Sequence, residues 1–78
     1  MEEKTPIMNV AAFIWHECGI QPEIRRISAR LCEYVFECDT TEQSESVRKF
    51  ADQYYKTEIY QFIDKKEELM RKTKEKLL

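Results

Sequence analysis

A chain of 78 residues with 42% hydrophobic and 36% charged side chains, one Gly and two Pro, holds material for one small domain. That content is too apolar for a disordered chain and too poor in turn formers for a β-sandwich. A formal charge of −2 selects no class of charged partner, and Cys at 18, 32 and 38, an odd number without framework spacing, points to reduced thiols in the cytoplasm.

The opening MEEKTP lacks the basic and apolar segments of a secretory signal. The longest apolar run, VAAFIW at 10–15, is far short of a membrane span, so a cytoplasmic protein with no membrane role is expected. A first helix is expected over 6–18, with Thr5 as its cap and Pro6 at the first helical position. Gly19 suits the left-handed position that ends it. Ile7, Met8, Val10, Ala11, Ile14, Trp15 and Cys18 fall on one wide arc at 100° per residue, opposite Asn9 and His16, so this helix reads as mostly buried.

A second helix is expected over 22–38. Ile24, Ile27, Leu31, Tyr34, Val35 and Cys38 recur at spacings of three and four, and Arg25, Arg26, Arg30, Glu33 and Glu37 take the other side. The stretch CDTTEQSES at 38–46 is a turn, and Thr40 with Gln43 has the spacing of a capping box. A third helix then runs over 42–76, long enough to span on the order of 50 Å. Either it breaks near Lys56 and Thr57 and folds back as a fourth helix, or it continues and projects. Neither Gly nor Pro marks a break, which favours continuity. The expected fold is therefore all-α, a small three- or four-helix bundle with two shorter antiparallel helices on a long C-terminal one.

Five of the nine aromatics fall within FADQYYKTEIYQF at 50–62. One reading places Val47, Phe50, Ala51, Tyr54 and Phe62 in the core. The sharper reading makes Ile59, Ile63, Met70 and Leu77, spaced 4, 7 and 7, a seam for a second helix, with Lys66 and Thr73 at the remaining seam positions. On that reading Tyr55, Ile59, Tyr60, Ile63 and Met70 supply contact area and Lys66, Arg71 and Lys74 set orientation.

Chemistry is sparsely represented. His16 in WHEC has no second ligand at helical spacing, the three Cys show no metal-site spacing, and one Gly cannot build a phosphate loop. No catalytic residue, metal, cofactor or small-molecule substrate is expected. The function expected is a non-enzymatic protein-interaction or regulatory module acting through its long C-terminal helix, with a protein partner or a second copy of itself. The alternative is a small helix-turn-helix-like DNA- or RNA-binding regulator using Arg25, Arg26, Arg30, Arg48, Lys49 and Lys56 on phosphates. Those cations are interleaved with Glu23, Glu33, Glu45 and Asp52, which weakens the basic face such binding needs.

Overall fold

Val35 and Phe36, neighbours on a central strand, have no surface open to solvent, and the remaining elements are arranged around them. The structure, a computed structural model, describes residues 1–77. Strand β1 (Glu2–Thr5) leads into helix α1 (Met8–Cys18); β2 (Glu23–Ser28) and β3 (Leu31–Glu37) form a hairpin; α2 (Thr41–Tyr54) and α3 (Glu58–Leu77) follow. The sheet is antiparallel in the order β1-β3-β2, so α1 carries the chain from one edge to the other.

The all-α expectation is thus corrected: the fold is α+β, with no helical bundle and no helix over 22–38. In β3, Cys32, Tyr34 and Phe36 alternate with Leu31, Glu33, Val35 and Glu37, the period-two pattern of a strand rich in aromatic and β-branched residues. The helical spacing arose by reading through the hairpin turn, which adds two strand patterns out of phase. That turn, Ala29 and Arg30, contains no Gly, Asn or Asp. No described residue other than Gly19 has a positive φ, so the turn is not of the primed type usual in tight hairpins. The register instead slips between Arg26 and Ser28, and the bulge at Ile27 supplies the twist.

Local capping chemistry is closer to expectation. Gly19 ends α1 at φ 73°, its N–H donating to the Trp15 carbonyl at 2.8 Å. Thr5 is the last residue of β1, and its hydroxyl accepts from the Ile7 N–H at 3.2 Å, so the helix begins two residues later than expected. Thr40 caps α2 by accepting from the Gln43 N–H at 3.1 Å, while the Gln43 side chain accepts from the Asp39 N–H at 2.7 Å. Buried Ser44 on α2 donates to Glu3 on β1, and Arg48 Nε donates to the same carboxylate oxygen at 2.8 Å, which ties the edge strand to the helix layer.

The core is small: Val10, Ala11 and Ile14 of α1, Phe36 and Cys38, and Val47 and Tyr54 of α2, with Phe13, Phe50 and Tyr60 packed at its margin. Met8 and Trp15, expected to be buried, are exposed. The Tyr54 ring sits 5.7 Å from Phe13 and 5.5 Å from Tyr60, centroid to centroid, and Tyr55 closes the group at 5.1 Å from Tyr60.

The continuous third helix is also corrected. Residues 55–57 interrupt it without Gly or Pro, because Thr57 serves both ends: its hydroxyl donates to the Tyr54 carbonyl at 2.6 Å and accepts from the Tyr60 N–H at 3.1 Å. The helix after the break, α3, does not fold back over the body. No residue of α3 is buried, and the molecule measures 50 × 32 × 15 Å. Its radius of gyration is 15.0 Å, against about 11.5 Å for a compact chain of this length.

Two substitutions test this layout. Tyr54→Ala empties the junction of α1, α2 and α3 and should cost about 3–5 kcal/mol, enough to unfold a domain this small in a urea titration. Thr57→Ala removes a cap and should cost about 1 kcal/mol, lowering the melting temperature by roughly 4–8 °C. A melting temperature unchanged by Thr57→Ala would show that the break does not depend on its hydroxyl.

Candidate functional site

Helix α3 leaves the body with an apolar stripe on one side. At 100° per residue, Leu69, Phe62, Ile59, Leu77, Met70 and Ile63 fall within an arc of about 120°, together with Thr73 and Lys66. Glu58, Asp64, Lys65, Glu68, Arg71, Lys72, Glu75 and Lys76 take the remainder. Phe62 is 70% exposed and Leu69 65%; Ile59, Met70 and Leu77 are also exposed. An arc of this width exceeds the narrow seam of a two-stranded coiled coil and matches a helix face made to lie on a body.

The residues expected to bind a partner divide accordingly. Ile59 and Met70 lie on the exposed stripe, and Lys66 sits within it. Ile63 is half-buried, sharing with Ile59 a shallow groove beside Ala12 and Phe13 of α1. Tyr60 is partly buried against the core, and Tyr55, half-exposed, packs its ring on Tyr54 and Tyr60, so both belong to the junction and not to the stripe. Lys74 borders the stripe. Arg71 lies on the polar side, 4.0 Å from Glu68. Phe62, read from sequence as core, and Leu69, left out of the expected contact set, lie side by side at one edge of the stripe. Both lie within α3 a heptad apart, and what the sequence did not show is that the break at 55–57 turns their face away from the one α2 buries.

A second unpartnered apolar surface lies across the body. The two helices cover the sheet unevenly: α2 and α1 lie towards β1, and the β2 half of the helix-bearing face stays open. There Met8, Ala12 and Trp15 of α1 face Pro22, Ile24 and Tyr34, lining a groove of about 260 Å³. Met8 and Ile24 are each 66% exposed.

The opposite face of the sheet is closed by charge. Arg25 donates to both oxygens of Glu2, at 3.2 and 2.8 Å, and reaches Glu23 at 3.2 Å and Glu37 at 3.3 Å. Its side chain thereby spans from β2 to β1 across β3, where Val35 is wholly buried although the helices lie on the other side.

The cations expected to contact nucleic acid do not form one stripe. Arg25 is engaged by three carboxylates, and Arg48 by Glu3. Arg26 donates to the Ser28 carbonyl beside Arg30 at the hairpin end, Lys49 lies over the Phe50 ring, and Lys56 is in the break. A helix-turn-helix that uses 22–38 as its first helix is ruled out, because those residues are strands. Placed on α2 and α3, the motif has its capped turn at Thr57. Tyr55 stays right-handed there, at φ −69°, and α3 packs on α2 only through the tyrosine rings.

Among the described residues no three His, Cys, Asp or Glu side chains gather at metal-binding distance, and no helix is long and apolar enough to cross a membrane. Cys38 is buried, Cys18 half-buried and Cys32 exposed. Burial raises the Cys18 and Cys38 thiols above their ordinary value, a setting that keeps them protonated and inert. The class defined by fold and surface is a three-stranded antiparallel sheet under two helices, carrying a projecting amphipathic helix. No protein-family model, curated protein or solved structure significantly matches the chain.

The Arg25 cluster has a defined acid response. Glu2 and Glu37 are directly opposed in the register, and Arg25 pulls the Glu2 carboxyl down to about 2 while Glu2 pushes Glu37 above its ordinary value. Glu2 therefore stabilises the fold above pH 4.5, and its contribution fades as pH falls towards 2. Glu37 acts with the opposite sign, favouring the fold as it takes up its proton. A carboxyl NMR titration should show Glu37 protonating first. Arg25→Gln should return Glu2 towards 4.5, and an unmoved Glu2 would sink the assignment.

Proposed function

We propose that this chain is a non-enzymatic interaction module that acts by docking α3 on a protein surface, and that the surface belongs to a second copy of itself. The observation that carries the reading is a 20-residue amphipathic helix of which no residue is fully buried and most of the apolar stripe is open. Most helical stability in proteins comes from packing an amphipathic helix's apolar face. Five large apolar side chains on α3 exceed what a surface helix ordinarily leaves open, and such patches mark interaction sites. The dispersal of Arg25, Arg26, Arg30, Arg48, Lys49 and Lys56 over several elements, with Arg25 and Arg48 paired to carboxylates, weighs against the nucleic-acid reading.

Sedimentation equilibrium of the chain under reducing conditions tests the proposal. A dimer mass is expected at micromolar concentration, and Leu69→Asp should return it to monomer with the circular dichroism of sheet and body retained. Leu69 is a cleaner probe than Ile63, which is half-buried against α1. A wild-type monomer at every concentration, or a dimer indifferent to Leu69→Asp, would overturn the reading.

A further inference from the structure

The chain exposes two apolar features of complementary shape, the convex stripe of α3 and the concave groove between α1 and β2. We propose that α3 of each copy lies in the α1/β2 groove of the other, forming a two-fold dimer with two identical junctions. The inference rests on the self-association proposed above and names its geometry.

Three observations favour this arrangement over α3 packed on α3. First, spacing: Met8 and Trp15 stand two turns apart on α1, and so do Phe62 and Leu69 on α3, so the two helices can interdigitate over that length. Second, area. With on the order of 80 Å² of apolar surface from each exposed residue, Phe62, Leu69 and Met70 with Met8, Trp15 and Ile24, doubled by the two-fold, come to about 1,000 Å², the size from which an interface is specific. The α3 stripes packed on each other would bury only about 800 Å² and leave the groove open. Third, charge. Lys66 lies within the stripe, and a parallel pair of α3 helices would set it against its own copy. Among the described residues no charged side chain lines the groove, so Lys66 meets no like charge there.

A closed two-fold also covers both features at once. A head-to-tail arrangement would leave one stripe and one groove open at its ends and continue as a filament.

The test places a photo-crosslinker where only the partner's identity decides the product. Phe62 is replaced by p-benzoylphenylalanine in a mixture of isotopically light and heavy chains, and the crosslinked dimer is mapped by mass spectrometry. The adduct is expected on the other copy within residues 8–15 or 22–26. In parallel, Met8→Asp, an exposed change at a helix start where a carboxylate is favourable, should weaken the dimer by about a hundredfold without loss of helicity. An adduct on the other copy's α3, with a dimer that survives Met8→Asp but not Leu69→Asp, would overturn the groove while leaving α3-driven self-association standing. A chain that is monomeric and yields no intermolecular adduct would overturn both.

Discussion

The rings of Phe13, Tyr54, Tyr55 and Tyr60 fasten α3 to α1 and α2, which pack on each other through the core, and the direction in which α3 departs depends on how these rings stack. Tyr54 is the last residue of α2 and almost wholly buried, so the core ends where that helix ends. Thr57 then closes one helix and opens the next within three residues. That short interruption rotates the apolar face of α3 away from the face that α2 buries. Phe62 consequently points outward, while Tyr60, two residues earlier, turns in to complete the aromatic group. Of the five aromatics at 50–62, four pack on the core or fasten the helix, and Phe62 alone is presented by it.

The two faces of the sheet solve the problem of a small core differently. On the face turned from the helices, long charged side chains cover Val35, and the Arg25 contacts to Glu2, Glu23 and Glu37 offset the like charges that the register sets opposite one another. That surface is closed and polar. On the helix-bearing face two helices are too few for three strands, and Ile24 on the edge strand is left without cover. The sheet alone cannot correct this, since its third strand is already an edge and no further element of the chain reaches it. A third helix laid beside α1 would complete the layer, and α3 is that element in composition and length but not in position.

What was legible in the sequence was the chemistry that acts over one turn. Gly19 as a left-handed cap and Thr40 with Gln43 as a capping pair depend on neighbours in the chain and could be read from them. The strands could not be read the same way. β1 is EEKT, with no apolar residue at all, and exists because β3 supplies its pairing and Ser44 and Arg48 hold Glu3 from another element. Residues 23–37 satisfied a helical period by accident of a turn lacking Gly, and the alternation of Cys32, Tyr34 and Phe36 with Glu33 and Glu37 was the overlooked indication. The stripe on α3 was legible in Ile59 and Met70, whose spacing lies within one helix. It was misread at Tyr60 and Phe62, whose roles depend on a break that Thr57 makes without any of the usual breakers. The groove was not legible, because Met8 and Trp15 share an arc with buried Val10 and Ile14, and only the unequal cover of the sheet separates them.

On the docking proposed for α3, its order and the occupancy of its stripe are two aspects of one equilibrium. Its own sequence favours the helix modestly: Glu58 lies in the first turn, Lys74 and Lys76 in the last, and Glu68 stands 3.5 Å from Lys72 one turn on. Contributions of this kind amount to about 0.2–0.5 kcal/mol each, too little to hold 20 residues against solvent alone. Burial of Phe62, Leu69 and Met70 adds on the order of 1.5–3 kcal/mol apiece, so the docked helix is far more stable than the free one. On the proposed self-association the stability of α3 follows the concentration of the copy that covers it, and binding and helix stability are linked by mass action.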